Sequence, residues 1–279
     1  MLTRVHHVGL VVRRLEDGLA FWQDVLGLHV SKQATVRDQG VRAALLPIGR
    51  SEIELLEPIG ADGGVAKFLE RRGEGLHHVC FETPDVAAEL ATARAKGLPL
   101  IDEAPRQGLA GMICFLHPKG TRGVLVELAT PPPGEHAPPA ASTAASTGPL
   151  AGLALEEVTA RSRDAASAAD LFASQLGLAR EACGAEAGLV AVAVRVGGVR
   201  LRFVSADPRS AGAEAAELRA AAEEGEGLAA LVLAVRDLPG AAAALAALDP
   251  VRAAGAVRLR AERCHGVPLT LRPRSPGPA

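Results

Sequence analysis

The chain has 279 residues, room for two cores of ordinary domain size. Lys and Arg (30) nearly balance Asp and Glu (32), and the net charge of -2 leaves no global field that would draw the chain to nucleic acid or to an anionic membrane. Four scattered cysteines without CxxC spacing argue against a disulfide framework or a metal knuckle, and neither a signal-peptide core nor a bilayer-length apolar run is seen, so a soluble cytoplasmic protein is expected.

From the start, "VHHVGLVV" alternates as a strand does, and "LEDGLAFWQDVLG" then sets Leu15, Leu19, Trp22 and Leu26 at helical spacing and stops at Gly27. Three strand candidates follow, "LHVSKQAT", "VRAALLPI" and "SEIELLEP", the last two parted by the turn residues Gly49 and Arg50. A short helix, "GVAKFLERRG", leads to a second doubled histidine in "HHVCFET". The next helix, "PDVAAELATARAKG", is expected to use Thr83 as N-cap, Pro84 at its first position and Gly97 as its stop, before three more strands.

This order is βαβββ, twice. Near-equal spacing supports a duplication: His7 to Gly27 matches His78 to Gly97, and each module closes on a strand with a glutamate among apolar neighbours, Glu54 in "EIELLEP" and Glu127 in "GVLVELAT". The stretch at residues 131–150, rich in Pro, Ala, Ser and Thr, reads as a linker between a first domain at 1–130 and a second at 151–279.

Successive strand side chains point to opposite faces, so only one histidine of each pair lines a given surface. His6 shares its face with Val8, Leu10 and Val12, a set suited to packing on a helix, whereas His7 lies beside small Gly9 and His78 beside small Cys80. His7 and His78 are therefore assigned to a cleft, and His6 and His77 to the helix-packed face or the strand ends. Two imidazoles with the carboxylates of Glu54 and Glu127 would give one divalent cation two nitrogen and two oxygen donors and cancel its charge. Such a site suits cobalt, manganese, nickel, zinc or iron, and leaves positions open for a substrate that binds through two oxygens.

These residues resemble the vicinal oxygen chelate superfamily, and within it the methylmalonyl-CoA epimerase family. The likeness covers residues 4 to 130 and rests on "HHVGLVV", "QGVRAALLP", "IELLEP", "VAKFLERRGEGLHHVCFE", "LIDEAPR" and "FLHPKGTRGVLVEL" in order. It implies an α+β fold of paired βαβββ modules with metal ligands at His7, Glu54, His78 and Glu127. It also implies an acyl-CoA substrate whose (2R) and (2S) forms interconvert through an enolate. Glu127 matches one proposed acid/base residue of the family. The other is a glutamate in some members, and Ala43 stands in its place; Arg42, Asp38 and water remain as candidates. Lys119 of "HPKG" matches a family signature and is expected to meet a CoA phosphate or the substrate carboxylate.

Beyond the linker, "LEEVTARS", "LFASQLGL", "VAVRVGGVRLRFVS", "EGLAALVLAVRDLPGAAAALAAL" and "HGVPLTLRP" follow the first half segment by segment. Glu157, Arg202, Ala230 and Thr270 stand at the ligand places, so this degenerate domain of the same type should not hold the metal. A homodimer or an intrachain pseudo-dimer is expected, the second copy covering the first as a subunit would. Competing readings are a glyoxalase-type lyase, although "HPKGTRG" departs from that branch's aspartate-proline turn, and a metal-free binding protein of the bleomycin-resistance type. An extradiol dioxygenase is disfavoured by the absence of tyrosine.

Overall fold

The computed structural model describes residues 1–134, 148–184, 188–253 and 255–274. The first half runs β1 (Arg4–Val11), α1 (Leu15–Leu19), β2 (Lys32–Val36), β3 (Val41–Ile48), β4 (Ser51–Pro58) and α2 (Gly64–Arg72). It continues with β5 (Gly75–Glu82), α3 (Val86–Ala95), β6 (Arg106–Gly108), β7 (Gly111–Leu116) and β8 (Leu125–Thr130). These strands form one sheet in the order β2-β3-β4-β1-β5-β8-β7-β6, so each βαβββ module is contiguous and the two meet at β1 and β5.

The second half repeats the plan with β9 (Ala154–Arg161), α4 (Ala165–Leu176), β10 (Ala179–Ala182), β11 (Leu189–Val196), β12 (Val199–Ala206) and α5 (Ala213–Glu224). After these come β13 (Gly227–Val235), α6 (Leu238–Ala244), β14 (Val251–Ala253), β15 (Ala256–Leu259) and β16 (Leu269–Pro273). Their sheet order, β10-β11-β12-β9-β13-β16-β15-β14, is the same. Most of the stretch read as a linker, residues 135–147, lies outside the described residues.

Local chemistry accounts for the element ends. The first helix opens where the Leu15 N–H donates to Glu57 at 2.7 Å, then widens into a π-helix over Ala20–Val25 before Gly27. Its widened turn turns Phe21 and Trp22 into the core, where among the described residues the Trp22 Nε1 has no hydrogen-bond partner. The N-cap of α3 is Asp85, not Thr83: the Asp85 carboxylate accepts from the Ala88 N–H at 3.0 Å. Thr83 is held two residues too early by the sheet, its N–H donating to the Ala129 carbonyl at 2.9 Å and its own carbonyl accepting from the Thr130 hydroxyl at 2.9 Å.

Contacts divide the chain into two compact units, each taking one module from each half. The first comprises Met1–His6, His78–Pro133 and Glu157–Ala229; within it Arg122 donates to the Ser167 hydroxyl at 2.6 Å and Lys96 to the Gln175 carbonyl at 2.6 Å. Gly123, at φ 78°, faces the backbone of Glu226 with no room for a Cβ between them. The second unit comprises His7–His77, Gly134–Glu156 and Ala230–Ala279; within it His265 meets the Glu74 carboxylate at 3.0 Å and Gly266, at φ 75°, presses against the Glu74 backbone. The two glycines occupy equivalent loops, each docking on a glutamate that precedes the glycine opening β5 or β13. The two halves thus contact one another as a pseudo-dimer does.

A Cβ at position 123 would collide with backbone atoms of Glu226 that cannot swing away, and its φ is one that L side chains rarely adopt. Gly123→Ala should therefore lower the stability of the full chain by about 2–4 kcal/mol, read from the denaturant midpoint at unchanged m.

Candidate metal centre

Strand register places the four expected ligands. In the parallel pair β1–β4, His7 lies opposite Glu52 and Gly9 opposite Glu54, so both histidine and glutamate present to one face with glycine leaving room between. The His7 Nε2 stands 3.4 Å from a Glu54 carboxylate oxygen. In β5–β8, His78 lies opposite Leu125 and Cys80 opposite Glu127, the same two-residue offset, and the His78 Nε2 stands 3.0 Å from Glu127.

One ligand atom from each of His7, Glu54, His78 and Glu127 lies within 4.8 Å of every other, and the four residues are only 0–6% exposed. Two carboxylates buried so close together repel unless positive charge lies between them, and two imidazole nitrogens with two carboxylate oxygens match a divalent cation in donor type and in charge. The residues present therefore fit a metal ion. His6, His7 and Cys80 form a second close group, but it lacks a carboxylate to balance the charge. His77 sits apart, stacked edge-on against Phe68 of α2 with ring centroids 5.0 Å apart, as its assignment to packing anticipated.

Other parts of the site lay beyond sequence reasoning. Phe115, opposite Glu127 in β7, meets His78 edge-on at 5.4 Å, and the Arg106 guanidinium lies 5.5 Å over its ring. Asp102 holds that arrangement, accepting from Arg106 at 3.0 Å and from the Phe115 N–H at 2.8 Å. With Cys80, Ala110, Ile113 and Ala129, Phe115 forms an apolar wall. A signal was present in "LIDEAPR", but nothing local to it shows that Asp102 and Arg106 converge on one ring.

Ala43, 1% exposed, lies two residues from Leu45, the register partner of Glu54, and so shares the cleft face without offering an acid or base. Arg42 is corrected as a candidate: one residue away on the opposite face, it pairs with Glu57 at 3.0 Å and with Glu16 at 2.6 Å. Asp38 is exposed on a 3-10 turn. Lys119 is exposed on another, Pro118–Gly120, its N–H donating to the His117 Nδ1 at 3.1 Å; it is not among the clustered ligands.

A model of the Glyoxalase/Bleomycin resistance protein/Dioxygenase superfamily matches residues 6–115. The chain is 40% identical over 136 residues to the Bacillus subtilis uncharacterized protein YqjC, covering 48% of this chain and 97% of that one. It is 36% identical over 129 residues to the human mitochondrial methylmalonyl-CoA epimerase, covering 46% of this chain and 73% of that one. The chain belongs to this superfamily, in its methylmalonyl-CoA epimerase family. A solved Streptomyces coelicolor methylmalonyl-CoA epimerase variant in complex with 2-nitronate-propionyl-CoA is 40% identical, with a TM-score of 0.46, covering 47% of this chain and 99% of that one.

The second half departs from its family at the ligand places. Glu157 lies opposite Arg200, and Arg202 opposite Thr159, the offsets of His7 and Glu54. Val232 lies opposite Thr270 as Cys80 does opposite Glu127, which puts Ala230 where His78 stands. Buried Glu157 pairs with Arg200 at 3.2 Å and approaches Arg202 at 3.9 Å, so a guanidinium from the chain itself supplies the positive charge there. Among the described residues, the close groups of metal-ligating side chains all lie in the first half.

All four thiols are free, and burial differs among them. Burial pushes Cys114 up to about 12, with Asp102 and Glu127 adding to the effect, and burial likewise pushes Cys264 up to about 12. A thiol of that pKa is thiolate in only about one molecule in ten thousand at pH 8. Titrating the native chain with an aromatic disulfide at pH 8 should therefore show one promptly reacting thiol, half-buried Cys183, and release the other three only on unfolding.

Proposed function

We propose that this epimerase acts on methylmalonyl-CoA, interconverting its (2R) and (2S) forms through an enolate, in the cytosol. The observation that carries the reading is the buried pair of His–Glu couples, one on each module, in a chain whose relatives include methylmalonyl-CoA epimerases. Cobalt is the first choice of cation, with manganese, nickel, zinc and iron as the other candidates. A divalent cation held by His7, Glu54, His78 and Glu127 would supply charge neutralisation where the thioester oxygen becomes negative as the α-proton leaves.

The chain's own residues do the rest. Glu127, beside the apolar wall of Phe115, Ile113 and Ala129, is the group that moves the α-proton on one face. The wall keeps bulk water from that face and lowers the dielectric around the carboxylate. Opposite it, Ala43 offers only a methyl group, so water carries the proton on the second face.

The deciding assay gives the metal-loaded full chain one enantiomer of methylmalonyl-CoA and, separately, a glutathione hemithioacetal. Racemisation of the first with no product from the second is the expected result; the reverse would establish the lyase, and turnover of neither the binding protein.

A further inference from the structure

A cavity of about 320 Å³ is lined by Arg13, Glu74, Glu262, Arg263, His265 and Gly266. Arg13 and Glu74 come from the first half and the other four from the second, all within one compact unit. Its floor is already satisfied: Glu74 accepts from the Arg13 backbone N–H at 2.7 Å through one oxygen and meets His265 at 3.0 Å through the other. The Gly266 backbone packs on the same residue. What remains are the two exposed guanidinia of Arg13 and Arg263, which have no ion-pair partner among the described residues, against one exposed carboxylate, Glu262.

We propose that this cavity holds the phosphate groups of the CoA thioester, so that the metal-free half supplies part of the substrate site. The inference rests on the epimerase reading and deepens it. Guanidinium forks match phosphate oxygens, and the volume lies in the range of small-molecule pockets rather than of a single-anion niche. Reach agrees: β1 ends at Val11, and Arg13 lies two residues past that end and six beyond His7, a separation of at most about 20 Å at the rise of a strand, which an extended pantetheine arm covers. Lys119, expected from sequence to meet a CoA phosphate or the substrate carboxylate, sits in the first-half loop equivalent to the one bearing Arg263.

The test compares the metal-loaded full chain with Arg13→Gln/Arg263→Gln and with Glu262→Gln, using methylmalonyl-CoA and the methylmalonyl thioester of pantetheine, which lacks the nucleotide phosphates. In the double variant KM for the CoA thioester should rise about 10- to 100-fold with kcat unchanged, while the pantetheine thioester is unaffected. Glu262→Gln, which removes the opposing carboxylate, should lower KM for the CoA thioester alone. Equal KM changes on both thioesters, or no change, overturn the proposal. Calorimetry with 3′,5′-ADP reads the cavity without turnover: binding lost in the double variant and competitive with methylmalonyl-CoA upholds it, and binding retained or non-competitive overturns it. A wild type that turns over neither thioester yet binds 3′,5′-ADP through these arginines would sink the epimerase reading while leaving the phosphate site standing.

Discussion

His78→Ala should leave the purified chain without its metal and lower kcat/KM by at least about 10³-fold, roughly 4 kcal/mol of transition-state stabilisation. Removing this imidazole leaves one nitrogen donor and two buried carboxylates within 4.8 Å, a set whose repulsion favours proton uptake over cation binding. His77→Ala is the control: its ring packs on Phe68, so metal content should stay near one ion per chain and the loss should appear as stability. Elemental analysis of both variants beside the wild type checks this. Two tightly held ions per wild-type chain would show that the second half, with Arg202 and Glu157 at two ligand places, holds a metal after all. Metal lost from His77→Ala and kept by His78→Ala would mean that the strand faces have been read the wrong way round.

The second large effect concerns the face that lacks an acid. With a single enantiomer of methylmalonyl-CoA in deuterated water, the wild type should take up deuterium at the α-carbon faster than it inverts, because in the proposed mechanism Glu127 returns a proton to the face it left more often than water delivers one opposite. Glu127→Gln should suppress exchange and inversion together, with metal content measured alongside because the same carboxylate is one of the four proposed ligands. Ala43→Glu places a carboxylate on the cleft face two residues from the partner of Glu54, and should raise the ratio of inversion to exchange by about 10²-fold. Its side chain enters a site only 1% exposed, so the folded fraction of this variant must be measured too. Exchange and inversion at equal rates in the wild type would show that a second protein acid serves the face that Ala43 leaves bare.

Much of this was legible in the chain order of residues. A period of two along "HHVGLVV" and "HHVCFE" fixes which histidine of each pair shares a face with small Gly9 or Cys80, because strand geometry permits no other alternation, and the observed registers agree. The repeated spacing to Glu54 and Glu127 made the clustering of these four side chains readable, since a duplicated module repeats its own local geometry. The degenerate ligand places of the second half were readable for the same reason. Only the tertiary structure decided the rest. Thr83 yields the cap to Asp85 because the sheet claims its backbone, and Arg42 leaves the site because Glu57 and Glu16 draw it to the other face. Asp102, Arg106 and Phe115 meet within one short stretch of chain, but they reach His78 only because β8 pairs with both β5 and β7. The grouping of each first-half module with a second-half module, sealed where Gly123 meets Glu226 and Gly266 meets Glu74, follows from surfaces that form only after both sheets exist, and no local pattern of residues encodes such a surface.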